Sequence, residues 1–370
     1  MKKKVLFLIQ DLKHGGAEKV LVNLANNLDK EKYDVTIKTL FNRGVHIKNI
    51  KDGVKYIPGL KWEIRGNSHI IRKIPAKSLF KFFVKDKYDI IVAFLEGNAT
   101  RVLSGCTDKD TKKVAWVHIE MSSIKTSFSD TKEAAKVYNS FDKTVFVSNT
   151  VKEAFEKAAG QTFNNGIVLY NVNETEDIKI RSREKIDDAH FSKDEVNIIS
   201  VAKLVPSKGY DRLIPALAKA NENREKKAHL YLLGIGEQQS ELEALAKKHN
   251  IDEYVTFLGF KENPYKYLAA ADFYICSSRR EGFSTAVTEA LVCGTPVVST
   301  KCSGATELLG ENNEYGIVVE NSEEGVQKGL FAMLDNDKYK EYKSLAKTRG
   351  EFFSTENTTR AVEDMFEGLF

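Results

Sequence analysis

Two carboxylates set eight positions apart, Glu281 and Glu289, are the residues of this chain whose spacing most directly suggests chemistry. They lie in a stretch crowded with polar residues, Ser277-Ser278-Arg279-Arg280 before Glu281 and Gly282-Phe283-Ser284-Thr285 after it, that follows the apolar run Phe273-Tyr274-Ile275-Cys276. That order reads as a buried strand handing over to a helix. In an open α/β sheet such a point faces the crevice where ligands bind, and a helix start there offers free N–H groups to an anion. One carboxylate in the loop and one inside the helix could grip the two ends of an extended ligand. A capped surface turn with two solvated glutamates would show the same letters.

Three further clusters occupy equivalent places. Lys203 and Lys208, five apart in Lys203-Leu204-Val205-Pro206-Ser207-Lys208-Gly209, follow another strand-like run and suit two phosphates of one ligand, or are two solvated lysines. His14-Gly15-Gly16-Ala17-Glu18 stands where the first strand meets the first helix. Its adjacent glycines would let backbone approach a pyrophosphate or a sugar, though an ordinary tight turn is equally consistent. It has neither Walker A nor GxGxxG spacing. His118, ending the run Trp116-Val117, could serve acid–base chemistry, donate a hydrogen bond to substrate, or be structural. Gly234-Ile235-Gly236 lacks a third glycine, which argues against a dinucleotide fold fingerprint.

The elements that must position these residues alternate. Strand-like runs at 4–10, 34–40, 88–94, 113–117, 143–147 and 166–169 surround helical patterns at 18–27 and 148–157. After a charge-dense stretch at 171–195 with no apolar periodicity, read as an interdomain linker, the alternation restarts. Strands are expected at 196–202, 229–233, 255–258, 273–276, 296–299 and 316–319, with helices at 210–221, 239–249, 264–271, 284–292 and 323–334. A helical tail at 337–370 closes the chain. Alternation of this kind is the signature of βαβ units on parallel sheets. The expected class is α/β, with an N-terminal Rossmann-like domain at 1–175, a second at 195–350, and a terminal helix at 351–370 returning to the first.

A length of 370 residues with 42% apolar content suits two folded cores. The apolar start at 5–9 is too short for a signal segment or a membrane span. The four cysteines, 106, 276, 293 and 302, have neither metal-ligand spacing nor a disulfide framework, which points to a reducing cytoplasm and to no metal. The net charge of +4 is uneven: residues 1–170 carry +12 and the rest −8. Within the basic half, Lys73, Lys77, Lys81 and Lys85 recur at helical spacing beside Phe80, Phe82 and Phe83. Segment 61–87 therefore suits peripheral contact with an anionic membrane, or a core-packed helix with a solvated face. No nucleic-acid reader module is present.

Taken together, the motifs resemble glycosyltransferase family 4, retaining enzymes of the GT-B fold, over nearly the whole chain. The match comprises Gly15-Gly16-Ala17-Glu18, Trp116-Val117-His118, Val147-Ser148-Asn149, Leu169-Tyr170-Asn171-Val172 and Lys203-Leu204 with Lys208-Gly209. It continues through Phe257-Leu258-Gly259, Glu281-Gly282-Phe283 with Glu289 (the Glu-x7-Glu motif) and Gly294-Thr295-Pro296-Val297-Val298. The resemblance implies two doubly wound parallel-sheet domains facing across a cleft. It implies retaining, metal-independent hexosyl transfer from a nucleotide diphosphate-sugar, UDP-linked by preference, to a glycan or lipid-linked acceptor in cell-surface polysaccharide or glycolipid assembly.

By position, Glu281 would bind donor hydroxyls, and backbone at Gly282, Phe283, Ser284 and Thr285 would meet sugar and diphosphate. Glu289 would hold the ribose, and Gly259 and Phe260 the base. Lys203 and Lys208 would neutralise the leaving diphosphate, Gly15 and Gly16 would approach it or the sugar, and His118 would bond the transferred sugar. His118, Glu281 and Lys208 are the expected catalytic set, with no cofactor and no metal. The family commonly has arginine where this chain has Lys203, so a forked phosphate contact becomes a point charge. A nucleotide-sugar epimerase and a non-catalytic partner subunit are the rival readings.

Overall fold

The computed structural model describes residues 2–13, 15–61, 71–121, 124–125, 127–302 and 304–370. They form two compact units, residues 1–173 with 355–370, and residues 174–354.

The first unit is built on a seven-stranded parallel sheet in the order β3-β2-β1-β4-β5-β6-β7. Its centre is β1 (Lys3–Ile9) beside β4 (Ile90–Ala93), with Val5 paired to Ile90 and Leu8 to Ala93. Val5–Ile9 and all of β4 are buried, the continuous apolar run expected of strands covered on both faces. On one side lie β2 (Tyr33–Thr39) and β3 (Val54–Ile57), on the other β5 (Lys112–Val117), β6 (Lys143–Phe146) and β7 (Gly166–Val168). The strand order reverses between β1 and β4, so the loops after those two strands part and leave a crevice.

The second unit repeats the plan with six parallel strands, β10-β9-β8-β11-β12-β13. Here β8 (Val196–Val201) and β11 (Phe273–Cys276) are central, flanked by β9 (Ala228–Leu233) and β10 (Val255–Gly259), and by β12 (Val297–Thr300) and β13 (Ile317–Val319). Its reversal lies between β8 and β11. Val196, Ile198, Leu230, Leu232, Phe273 and Ile275 meet the helix faces carrying Leu213, Leu217, Val326 and Leu330 in one core.

Two expectations are corrected, and a third, the helical tail, is resolved into its parts. The stretch 171–195 is not a free linker: the units divide between Asn173 and Glu174, and residues 174–195 dock on the second unit. They open with a helix, Thr175–Arg181, whose Ile178 is buried. Phe191 stacks on Tyr231 at 4.2 Å, and Asp188 accepts from the Tyr267 hydroxyl at 2.6 Å and from Lys261 Nζ at 2.5 Å. Density of charge suggests a solvated segment only while the partners of those charges, distant in the chain, are unknown.

The helical tail is two helices, Tyr339–Phe352 and Thr355–Glu367, parted where the chain passes from the second unit to the first. The latter sets Phe366 against Phe7 and Tyr33, at 6.3 and 5.8 Å between rings, and its Glu363 accepts the Asp29 N–H at 2.7 Å.

The lysine stripe is not one helix face either. Pro75 starts the helix Ala76–Phe83, so Lys73 precedes it and Lys85 comes after it, because proline fixes a helix start and cannot continue one from behind. Within segment 61–87, residues 62–70 lie outside the described residues.

Candidate functional site

In the second unit the loops after β8 and β11 bring Lys208 and Glu281 into contact. Lys208 Nζ lies 2.6 Å from Glu281 Oε1, which also accepts from Ser278 Oγ at 2.7 Å. Both side chains are mostly covered, with 21% and 16% of their surface exposed. Burial opposes the lysine charge, but the adjacent Glu281 carboxylate outweighs it and holds the ammonium above its ordinary range. The sequence placed a phosphate-binding cation and a hydroxyl-binding carboxylate here as separate groups; the fold makes them a pair.

The loops that carry the pair are locked together. Gly209 adopts φ +69°, and a Cβ there would meet the Ser277 carbonyl oxygen at 2.1 Å, so the β8 loop passes against the β11 loop where only glycine fits. Ser277 Oγ donates to the Lys208 carbonyl at 2.9 Å, and the Arg279 N–H donates to the Ser207 carbonyl at 2.7 Å. Arg279 forks onto Asp211 at 2.7 and 2.8 Å. Beneath them Arg212, only 5% exposed, sends Nε and Nη2 to the Ser277 carbonyl (3.1 and 2.7 Å) and Nη2 also to the Ser278 carbonyl (3.0 Å) and to Asn321 Oδ1 (2.6 Å). Thr300 Oγ1 adds a bond to the Ser278 carbonyl at 2.6 Å.

The helix Thr285–Val292 opens beside this pair. Ser284 caps it, accepting the Val287 N–H, so one first-turn donor is satisfied and the positive end of the helix dipole remains at the strand's carboxyl end. Glu289 is buried on this helix, in its second turn. Phe283 is buried against Phe353 at 5.8 Å between rings. Lys203 is exposed on the β8 loop. At the neighbouring strand ends the Gly234 N–H donates to the Gly259 carbonyl at 2.9 Å. Gly259 has φ +70° with open space where a side chain would be, and Phe260 next to it is 64% exposed. Such a face can stack on a flat ring. Lys203, Lys208, Gly259, Phe260, Glu281–Thr285 and Glu289 thus all gather at the carboxyl ends of strands in one unit.

Gly15, Gly16 and His118 belong to the first unit. Gly15 precedes the helix Gly16–Asn27, which has no side-chain cap, so its first N–H groups are left to other partners. His118 comes directly after β5 and is 6% exposed, its ring 4.8 Å from Phe94 and 6.3 Å from Trp116. Burial pushes its pKa down to about 3. The imidazole is therefore neutral at physiological pH and suits a hydrogen bond better than carrying a proton as a cation.

Sequence reasoning missed Arg212, Ser278, Asn321 and Glu96. The first three show no motif, because their role appears only when a loop folds over them. Glu96, three residues past β4, accepts the His118 N–H on Oε2 at 3.0 Å. Among the described residues no group of three or more His, Cys, Asp or Glu side chains is placed to hold a metal ion, and no helix is long and apolar enough to cross a membrane.

Two open α/β units, each with its polar loops at the point where strand order reverses, are the two Rossmann-like halves of the GT-B fold. Comparison with known proteins gives the same class. HepE from Anabaena, solved in complex with UDP, superposes with a TM-score of 0.77 at 20% identity over 100% of both chains. Sucrose-phosphate synthase from Thermosynechococcus elongatus gives 0.76 at 16% identity over 100% of this chain and 99% of that one. In sequence, the family model described as Glycosyltransferase Family 4 matches residues 14–176, and that described as Glycosyl transferases group 1 matches residues 182–349. The Campylobacter jejuni N-acetylgalactosamine-N,N'-diacetylbacillosaminyl-diphospho-undecaprenol 4-alpha-N-acetylgalactosaminyltransferase is 33% identical over 288 residues, 77% of this chain and 74% of that protein. The chain belongs to glycosyltransferase family 4.

Proposed function

We propose that the protein transfers a sugar from a UDP-sugar to an acceptor hydroxyl with retention of anomeric configuration, without a metal, in the assembly of a cell-surface polysaccharide or glycolipid. The observation that carries this reading is the Lys208–Glu281 pair at the second unit's strand-order reversal. It sets a cation suited to a diphosphate beside a carboxylate suited to sugar hydroxyls. In this reading Lys208 and Lys203 stabilise the charge that develops on the departing diphosphate, with N–H groups of residues 282–285 adding to it. Glu281 orients the sugar, Glu289 holds the ribose, and Phe260 and the Gly259 backbone cover the base.

Glycosyl transfer breaks the bond from the anomeric carbon to the diphosphate and forms one to the acceptor oxygen on the same face. The acceptor's proton goes to the departing phosphate oxygen. Gly15, Gly16 and the neutral His118 supply hydrogen bonds from the first unit, on which the acceptor is read to bind. The UDP bound in HepE supports the choice of base, and the diphospho-undecaprenol in the relative's name supports a lipid-linked acceptor. The exposed basic and aromatic helix Ala76–Phe83 supports a cytoplasmic protein that works peripherally on the inner membrane face.

Calorimetric titration with UDP and a panel of UDP-sugars should give saturable binding, and donor turnover should require an acceptor, which separates transfer from epimerisation. Glu281→Ala should keep the fold by circular dichroism while lowering kcat/KM by roughly a hundredfold or more, the scale on which a positioned transition-state contact acts. Undiminished turnover in that variant would defeat the assignment.

A further inference from the structure

Glu281 has two carboxylate oxygens, and the second unit holds only one of them. Lys208 Nζ at 2.6 Å and Ser278 Oγ at 2.7 Å both meet Oε1. Among the described residues no donor is placed on Oε2, and yet Oε2 is not one of the buried polar atoms left without a partner. It is therefore open to a ligand. An ionised carboxylate can only accept hydrogen bonds, so whatever completes Oε2 must donate one.

The two donors on Oε1 are not equivalent. Lys208 carries three rotatable N–H groups on a flexible stem, so it can follow the carboxylate if the carboxylate turns. It is also the cation read as meeting the diphosphate, so its hold on Glu281 changes when the donor arrives. Ser278 has a short side chain with a single hydroxyl proton. Its carbonyl is clamped from two sides, by Arg212 Nη2 at 3.0 Å and by Thr300 Oγ1 at 2.6 Å, and both Ser278 and Thr300 are buried. Asn321, which meets the same Arg212, donates from Nδ2 to the next carbonyl, that of Arg279, at 2.9 Å. The Ser278 hydroxyl is thus the fixed point that sets the plane of the carboxylate and the direction of its free oxygen.

We propose that Ser278 is a positioning residue for the donor sugar. By holding one oxygen of Glu281 it aims the other at a single ring position, where the site takes a hydroxyl that donates to it. Donors lacking that proton are selected against, and so are donors oxidised there to a carboxylate, since like charges at short range repel. The inference rests on the reading of Glu281 as the sugar contact. It adds a residue that shapes specificity without touching substrate, and the kind of group that the contact selects.

The test measures the affinity of the full chain for UDP and for UDP-hexoses by calorimetry, with donors carrying fluorine in place of each ring hydroxyl in turn. Fluorine keeps the size of the group but has no proton to donate. One fluorinated donor should bind the wild-type chain roughly tenfold more weakly than its parent, the scale of a hydrogen bond to a charged group. Ser278→Ala should weaken the parent donor by a similar factor of roughly ten, keep UDP within about twofold, and weaken that fluorinated donor no further. Ser278→Thr, which restores a hydroxyl, should regain part of the loss. Should Ser278→Ala lose its fold by circular dichroism, Ser278→Cys has nearly the same shape with a weak donor and must show the same split.

The inference is overturned if UDP and the UDP-hexose weaken together, which would mean that the loop has moved as a whole, or if neither changes. It is overturned equally if no single fluorine matters in the wild-type chain, or if the variant loses as much affinity for the fluorinated donor as for its parent. Failure of the donor reading looks different: UDP and the UDP-hexoses then fail to bind the wild-type chain at all, and the inference falls with it.

Discussion

At the scale of single residues, Arg212 decides where the Glu281 loop sits. Its planar fork meets two consecutive carbonyls, Ser277 and Ser278, and the Asn321 side chain at once. A lysine carries the charge but not the fork, so one ammonium cannot reach all three acceptors in this geometry. Arg212→Lys should cost about 2–3 kcal/mol of stability, chiefly through buried carbonyls left unpaired. It should also raise the KM for the donor more than it lowers kcat, because Arg212 acts through the loop and not on the reacting atoms. Chemical denaturation and steady-state kinetics check this, and an unchanged denaturation midpoint would contradict it. Glu281, Glu289 and Lys208 could be singled out in the sequence because polar residues crowd strand-to-helix junctions, although a capped turn with solvated charges fitted the same letters; that Lys208 and Glu281 pair was not visible there. Arg212 could not be, since in Tyr210-Asp211-Arg212-Leu213 it reads as one more solvated charge of an amphipathic helix. Glu96 was hidden likewise: its partner, the His118 N–H, follows β5, far away in the chain.

At the scale of elements, the basic helix Ala76–Phe83 is clamped from beneath and open above. Arg101, 8% exposed, donates to the carbonyls of Ile71, Arg72 and Ile74 at 3.1, 2.8 and 3.3 Å, and its Nη1 meets Glu133 at 2.8 Å. The Ala76 carbonyl oxygen would lie 2.0 Å from a Cβ at Gly105, so the helix start touches bare backbone. Leu79 and Phe83 are buried, while Phe82 is 57% exposed and Lys77, Lys81 and Lys85 are exposed around it. Periodicity found only part of the face: Pro75 starts the helix after Lys73 and the helix stops before Lys85, so two of the four lysines lie on it. Helix Thr175–Arg181 was missed for a different reason, since seven residues are too few to show a period. If this face meets a membrane as proposed, each cation near an anionic surface contributes about 1 kcal/mol. The triple change Lys77→Glu, Lys81→Glu, Lys85→Glu should then weaken binding to phosphatidylglycerol vesicles by on the order of a hundredfold and leave UDP affinity unaltered. Vesicle sedimentation measures it; wild-type protein that stays in the supernatant ends the membrane idea.

At the scale of the whole molecule, charge and proton binding separate by unit. The first unit, with its acidic C-terminal helix included, carries +9 and the second −5, so the basic unit holds the exposed helix Ala76–Phe83 and the acidic unit holds the residues proposed to bind the donor. Each unit also holds a largely covered histidine in a neutral state. His118 is pushed down to about 3 by burial. His229 is lowered by burial against the opposing pull of Glu195, with its Nδ1 3.1 Å from Glu195 Oε2 and its Nε2 2.7 Å from Thr256 Oγ1. A group whose folded pKa is depressed takes up its proton more readily once unfolded. Its stabilising effect is therefore complete above the unfolded imidazole value, about 6.5, and is lost as the pH falls below it, at up to about 1.4 kcal/mol per pH unit for each imidazole. Glu96, raised by burial, works in the opposite direction, so the slope measures the two imidazoles against this carboxyl. Glu133 and Asp188, each held at about 2 by hydrogen bonds and cationic partners that in Glu133 outweigh burial, add their losses only below the ordinary carboxylate range. The urea midpoint should thus fall between pH 7 and pH 5. His118→Gln and His229→Gln should each flatten that part of the curve, and together remove most of it, while the steep loss below pH 4 persists. A double variant whose midpoint falls between pH 7 and pH 5 as steeply as the parent's would show that these two histidines do not govern the acid response.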